Sequence, residues 1–279
     1  MSEVNNYIVT AANNTYFKNF CQLMYSFMRN REFENSTVIF YDLGLDDDQA
    51  DELKSKSNRL FKYVAYRKFD FDSYPEFVKP KYSTYSWKPL IIHEVFNEKK
   101  GNIFWKDSAN QILKNMKPVW DEMNRTGTYI PYSGSGTLKE WTIQATMDYL
   151  NVPDKYYAAR NRAGNTCGFS YANENVRKLI QEWKDLALVR ECIRPEGANR
   201  SNHRDDQSLL TILLLIRDYG HALDTTDDEV DISSSSPTPY LSVRNRFPST
   251  INLEVGAIAY HYFNFLRFID IISNKIQRN

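Results

Sequence analysis

Along about the first 110 residues, short apolar runs rich in β-branched and aromatic side chains alternate with stretches whose apolar positions recur every three and four residues. The runs are 7–12 (YIVTAA), 37–41 (TVIFY), 61–71 and 101–107 (GNIFWKD). The stretch 16–28 between the first two sets Phe17, Phe20, Leu23, Met24 and Phe27 on one stripe, the mark of an amphipathic helix. A second helix is expected to open on Asp46, Asp47 and Asp48, since acidic residues favour a helix N-terminus. A third opens at Ser86, expected as its cap, with Pro89 in the first turn where a missing N–H costs nothing. The third run mixes Tyr63 and Ala65 with Lys62, Arg67 and Lys68, so its strand is expected to be less deeply buried. Strands that alternate with helices in this way pair in parallel through right-handed crossovers, and such sheets take their ligands at the carboxyl ends of the strands. The pattern predicts an α/β fold with a mostly parallel central sheet flanked by helices, and it puts Asp107 where chemistry is expected.

The second half is less regular. Residues 126–136, rich in Gly, Ser and Tyr, read as a loop, 138–150 as a helix, and 165–171 as a short strand or turn. Residues 173–190 form an amphipathic helix with Val176, Leu179, Ile180, Trp183, Leu186 and Ala187 on one side, and 205–219 form another with a nearly continuous apolar face. The acidic and then serine-rich segment 224–239 reads as a surface loop. Neither a repeat nor a linker interrupts the chain, so one domain over residues 1–279 is expected.

Charge and cysteine usage remove several classes of function. The 279 residues carry 35 Lys+Arg and 35 Asp+Glu, a net charge of zero, which lacks the bulk attraction of a nucleic-acid or acidic-membrane binder. Cys21, Cys167 and Cys192 are scattered and form no CxxC pair, which speaks for a reduced compartment. The first residues show no basic region followed by an apolar one, so a cytoplasmic location without a signal peptide is expected. The apolar stretch 255–273 is long enough to span a bilayer, yet it contains His261, Asn264, Arg267 and Asp270. It reads as a buried or docking helix and not a transmembrane segment, with peripheral association or a C-terminal tail anchor as the alternative.

GxGxxG, Walker, HExxH and GxSxG motifs are all absent. Two segments carry chemistry instead. In 102–110 (NIFWKDSAN), an apolar strand delivers Asp107 and Asn110 into a turn; oxygen donors of this kind suit Mg²⁺ or Mn²⁺, while the plainer role for Asp107 is to cap the following element. In 203–208 (HRDDQS), two carboxylates, an amide and a hydroxyl meet at the start of an apolar helix, where they could orient a sugar or phosphate; as capping residues, Asp205 and Ser208 account for only part of the cluster.

Taken in order, YIVTAAN (7–13), YSWKPLII (85–92), NIFWKDSAN (102–110), NTCGFSYANENVRKLIQEW (165–183) and CIRPEGANRSNHRDDQSLLTILL (192–214) resemble the GT-A class of nucleotide-sugar glycosyltransferases. Within that class they are similar to the family 8-like group and to related eukaryotic and giant-virus domains. The resemblance implies a Rossmann-like GT-A fold with a nucleotide-binding half at about 1–112 and an acceptor and catalytic half at 113–279. It implies an enzyme that moves a sugar from a nucleotide-diphosphate donor, UDP-linked by preference, to a hydroxyl on a glycan, protein or small molecule. Thr10, Ala11 and Ala12 would line the base pocket, Lys88 would approach the donor, and Asp107, Ser108 and Ala109 would stand at the DxD motif. Gly168 would allow close backbone approach beside the sugar, and Asp206 and Gln207 match the catalytic DQ pair. Mn²⁺ or Mg²⁺ would be held by Asp107 with Asn110 and His261, His221 being the alternative histidine. The chain departs from the motif at Ala109, where the second aspartate is missing, so a non-catalytic sugar-nucleotide or protein-binding module is the alternative function. Tyr129, Tyr132 and Trp141 could stack on an acceptor sugar, and Cys167 is either a nucleophile or a small buried thiol.

Overall fold

The computed structural model describes residues 5–55, 58–217 and 240–242. The chain opens with β1 (Asn6–Ala12), α1 (Phe17–Arg29), β2 (Thr37–Asp42), α2 (Asp47–Ser55), β3 (Val64–Lys68), α3 (Trp87–Lys99) and β4 (Asn102–Lys106). It continues with β5 (Asn110–Ile112), α4 (Lys117–Thr126), β6 (Thr128–Tyr129), β7 (Tyr132–Thr137), α5 (Leu138–Trp141), α6 (Gln144–Tyr149), β8 (Arg160–Arg162) and β9 (Thr166–Ser170). The remaining elements are α7 (Glu174–Ala187), α8 (Arg190–Ile193), α9 (Asp205–Ile216) and β10 (Tyr240–Ser242).

Six strands form one mainly parallel sheet in the order β3-β2-β1-β4-β9-β6, flanked by helices. β1 and β4 run parallel, with Asn6 opposite Asn102 and Val9 opposite Trp105, while β6 runs antiparallel to β9. β7 with β8 and β5 with β10 make two further antiparallel pairs. From β1 the chain builds outward through β2 and β3, then returns to lay β4 on the other side of β1. The strand order therefore reverses between β1 and β4, the place where doubly wound sheets open a crevice for ligands.

The chain divides into two compact units. One takes in the described residues of Met1–Val9, Lys68–Trp105 and Pro118–Glu229; the other, those of Thr10–Arg67, Lys106–Lys117 and Val230–Asn279. In the first, α3 packs on α7 and α7 on α9, burying Ile91, Ile92, Val95, Leu179, Trp183, Leu209 and Leu213. Each such side chain contributes about 1.5–3 kcal/mol of transfer free energy. In the second, Phe20 of α1 lies 4.2 Å from Phe40 of β2 and 5.8 Å from Phe61, the apolar stripe of α1 meeting the β2 run. The backbone of β5 is tied to α1, because Ile112 donates its N–H to Ser26 Oγ (2.9 Å) and accepts from Asn30 Nδ2 (2.8 Å).

Several expectations change in detail. The third strand is confined to 64–68, and 126–136 holds β6 and most of β7. The segment 138–150 is two short helices, because Thr142 is extended (φ −136°, ψ 120°) and gives its hydroxyl to Ser208 Oγ at 2.9 Å. Ser86 has helical dihedrals and donates its hydroxyl to Thr84 Oγ1 (3.0 Å), so it does not cap α3. The segments 224–239 and 255–273, with His221 and His261, lie outside the described residues. Among the described residues, no helix is long and apolar enough to cross a membrane.

Candidate active site

Two sets of expected site residues emerge, one in each unit. In the second unit, Thr10, Ala11 and Ala12 end β1, and Asp107 follows β4 directly. The two parallel strands carry these residues at their carboxyl ends, on either side of the reversal in strand order. Residues 107–110 make a turn closed by Asn110 N–H donating to Asp107 O at 2.9 Å. Asp107 is half-buried in this turn and Ala109 likewise, while Ser108 is buried and Asn110 has no exposed surface. Thr10 is wholly buried, and among the described residues its hydroxyl has no hydrogen-bond partner. Lys106 is also wholly buried, and that burial holds its ammonium pKa well below the usual range against the opposing charge of Asp107. Asp42, at the end of β2, is committed locally: its Oδ1 accepts the N–H groups of Gly44 and Leu45, and its Oδ2 the Tyr66 hydroxyl.

In the first unit, Lys88 of α3 meets Asp206 of α9. The Nζ–Oδ2 distance is 3.0 Å, and the two side chains are 5% and 6% exposed. Lys88 Nζ also donates to Gly164 O at 2.8 Å and lies 5.5 Å from the Trp105 ring and 5.8 Å from the Tyr85 ring. Three devices set this geometry. Lys88 N–H donates to Tyr85 O, fixing the first turn of α3; Trp87 packs on Trp105 with ring centroids 5.9 Å apart; and Trp183 Nε1 donates to Asp206 O at 3.0 Å. Removing one partner of a pair this well buried leaves an uncompensated charge and costs about 3–5 kcal/mol. Gly164 is required by space, since a Cβ there would stand 2.8 Å from Gln207 Cβ. Gly168 lies elsewhere, in β9 opposite Tyr129, where a Cβ would meet Met123 Sδ at 2.6 Å and Phe104 Cδ2 at 2.8 Å. Tyr129 is buried against Phe104, whereas Tyr132 and Trp141 keep partial exposure.

Beside Asp206 stands a second charged pair with no sequence motif to announce it. Arg194 grips Asp205 through two bonds, Nε to Oδ1 at 2.7 Å and Nη2 to Oδ2 at 2.5 Å, and also donates to Ser83 O at 2.7 Å. Asp205 therefore spends its carboxylate on Arg194 instead of capping α9; the cap position belongs to Arg204. Asp205 has φ 40°, and Ser83 and Tyr85 have φ 54° and 52°, so the turn before α3 and the start of α9 both hold left-handed backbone. Burial, helped by the neighbouring Asp206 charge, pushes the Asp205 carboxyl up to about 7 in spite of Arg194. His203 is buried too, with Nε2 2.7 Å from Ile193 O and Nδ1 accepting the Ile143 N–H at 3.4 Å, and burial lowers its pKa to about 4. The neutral imidazole satisfies both contacts; a protonated one could not accept from Ile143.

The three cysteines are free and buried, Cys167 among them, and burial pushes the Cys192 thiol up to about 12. Among the described residues, no group of three or more His, Cys, Asp and Glu could hold a metal ion. What the turn offers is one accessible carboxylate, Asp107, together with neutral oxygens. That donor set fits Mg²⁺ or Mn²⁺ taken up along with phosphate oxygens, a mode in which one or two carboxylates suffice.

Residues 2–93 match a family described as "Protein of unknown function (DUF1647)". No curated protein sequence matches the chain. Among solved structures, the galactosyltransferase LgtC in complex with donor and acceptor sugar analogs aligns at 12% identity and a TM-score of 0.47, over 74% of this chain and 70% of that one. Core-mannan synthase A from Aspergillus fumigatus, in its Mn/GDP form, aligns at 10% identity and a TM-score of 0.49, over 76% and 70%. Mouse xyloside xylosyltransferase 1 aligns at 9% identity and a TM-score of 0.46, over 76% and 81%.

Proposed function

We propose that the chain is a glycosyltransferase that moves a sugar from a nucleotide-diphosphate donor, UDP-linked by preference, to a hydroxyl acceptor, with Mn²⁺ or Mg²⁺ as its ion. The observation that carries this reading is the buried contact of Lys88 with Asp206. The sequence resemblance singles these residues out separately, one for the donor and one for the reacting face, and they stand 3.0 Å apart. In a dry setting a fixed charge acts more strongly than in water and needs no reorganisation when charge develops.

The hard step is departure of the diphosphate. Lys88, held in place by Gly164 O, is a preorganised cation for negative charge that builds as the bond to the sugar breaks. Asp206 fixes Lys88 and presents a carboxylate to the sugar, and the Gln207 side chain, at the next position of α9, supplies an amide for a sugar hydroxyl or the donor. Gly164, not Gly168, gives the close backbone approach beside Asp206. Thr10, Ala11 and Ala12 line the base side, at the end of β1. Asp107, with Asn110 and His261, would hold the ion, which would supply positive charge to the leaving phosphates.

The test is release of nucleotide from a panel of UDP- and GDP-sugars. One donor should be hydrolysed slowly by the native chain, and Lys88→Met and Asp206→Asn should each lower that rate about 100-fold or more. Equal rates in native chain and variants would overturn the reading. Ala109, standing where the motif has its second aspartate, favours a second reading, a non-catalytic module. It predicts nucleotide binding with no release from any donor.

A further inference from the structure

Lys88 and Asp206 come from the first turns of two different helices, α3 and α9. Left-handed backbone introduces both turns: Ser83 has φ 54° and Tyr85 φ 52° ahead of α3, and Asp205, the first residue of α9, has φ 40°. Residues with a Cβ rarely adopt this conformation, and it persists only where the surroundings hold it. Arg194 holds it at both ends. Its Nε and Nη2 donate to Asp205 Oδ1 and Oδ2 at 2.7 and 2.5 Å, and Nη2 donates again to Ser83 O at 2.7 Å. The Arg194 side chain is 18% exposed and that of Asp205 3%, so these bonds are made largely out of water.

Arg194 is itself fixed from behind. Its backbone N–H donates to Arg190 O at 2.9 Å at the end of α8, and Pro195 follows, which keeps Arg194 out of the helical region (φ −150°, ψ 72°). The two residues before it are tied as well: Cys192 O accepts the Thr146 hydroxyl at 2.9 Å, and Ile193 O lies 2.7 Å from His203 Nε2. From Ser83 the constraint reaches Lys88 through Tyr85, whose carbonyl accepts the Lys88 N–H at 3.0 Å and whose hydroxyl accepts from Arg200 Nη1 at 2.5 Å. From Asp205 it reaches Asp206 through one peptide bond. Only a planar fork of donors can meet both carboxylate oxygens and a carbonyl at once; a lysine ammonium is a point charge on a flexible stem.

We infer that Arg194 is a positioning residue, which spans the turn ahead of α3 and the start of α9 and so sets the contact between Lys88 and Asp206. Its effect on catalysis rests on the sugar-transfer reading. There the fork keeps a cation and a carboxylate in place while the diphosphate departs, so its loss falls on turnover. Donor affinity changes little, because a preorganised charge acts chiefly on charge that develops in the transition state.

The test makes two measurements on the full chain at about pH 8, above the Asp205 value of about 7, so that the carboxylate is charged. One is the NMR resonance of the Lys88 side chain, with lysine labelled by ¹³C at the ε carbon and the signal identified by its loss in Lys88→Met. The Trp105 and Tyr85 rings, centred 5.5 and 5.8 Å from Lys88 Nζ, make that signal sensitive to small displacements. The other is nucleotide release from UDP- and GDP-sugars as a function of donor concentration. Arg194→Lys should move the Lys88 resonance and lower the maximal rate about tenfold or more, with KM for the donor held within about twofold. Arg217→Lys, which alters an arginine bound to Glu182 at the other end of α9, should leave both readings as in the native chain. Asp205→Asn combined with Arg194→Lys should cost no more than the larger single loss, since both act through one fork. If Arg194→Lys fails to fold by circular dichroism, Asp205→Asn decides by the same two measurements. An unmoved Lys88 resonance, a native maximal rate in the folded variant, a loss confined to KM, or equal losses in Arg217→Lys would overturn the inference. The two readings stay apart: a displaced resonance in Arg194→Lys with no release by the native chain defeats only sugar transfer, and native release with an unmoved resonance defeats only the positioning role.

Discussion

Asp205 and His203 are two residues apart, both buried, and their protons move against each other. The Asp205 carboxyl is raised from 3.8 to about 7, so between those values the folded chain keeps a proton that the unfolded chain has released, and stability is withdrawn as pH rises through the window. His203 is lowered from 6.5 to about 4, so the folded chain lacks a proton that the unfolded chain takes up, and stability is withdrawn as pH falls through that window. Over the shared range the two slopes oppose. Urea midpoints taken from about pH 4 to 6.5 should therefore change little on their account in the native chain. Asp205→Asn should leave stability that climbs with pH, and His203→Gln stability that declines with it, each by up to about 1.4 kcal/mol per pH unit. Identical pH slopes in both variants and the native chain would show that neither group titrates as its burial demands.

Two glycines separate what an element needs for packing from what the site needs. In β9, alanine at Gly168 would press on Met123 Sδ and Phe104 Cδ2, and overpacking of this kind costs about 1–3 kcal/mol. Alanine at Gly164 would press on Gln207 Cβ and come within 3.5 Å of Asp206 Oδ2, displacing the first turn of α9. Gly168→Ala should lower the urea midpoint yet keep nucleotide release per folded molecule, whereas Gly164→Ala should cut release about tenfold or more. The reverse outcome would return the site role to Gly168. The elements legible in the sequence are those whose own side-chain pattern buries a face: β1, β2, β4, α1, α7 and α9 match to within a residue or lie inside the stretches that periodicity marks, and α3 opens where Ser86 and Pro89 announce a helix start. β6 and β7 are not, since their Gly, Ser and Tyr residues become strands through pairing with β9 and β8. The break at Thr142 comes from a bond to Ser208, a partner that local propensity cannot see. The site divides in the same way. Lys88 and Asp206 are each recognisable by motif, but Gly164 enters through a backbone oxygen and Arg194 through the left-handed turn at Ser83, contacts that exist only after folding.

For the molecule as a whole, 35 basic and 35 acidic side chains cancel, so a diphosphate approaching it feels no long-range pull. Local charge must then decide donor binding. Among the described residues at the ends of β1 and β4, Asp107 is a half-buried carboxylate that opposes a phosphate, while the neighbouring Lys106 is wholly buried, and that burial lowers its ammonium pKa well below the usual range. An anion settles beside such a carboxylate only with a counter-charge of its own. UDP titrated calorimetrically should accordingly bind weakly in EDTA and about tenfold or more tighter with Mn²⁺, and Mn²⁺ without UDP should give little heat, since one carboxylate makes a poor cage alone. Asp107→Asn should remove the manganese increment; with the repulsion gone, affinity in EDTA should hold steady or improve. An increment that survives Asp107→Asn would mean that the ion is held elsewhere, and equal affinity with and without Mn²⁺ in the native chain would mean that the phosphates are met by protein cations alone.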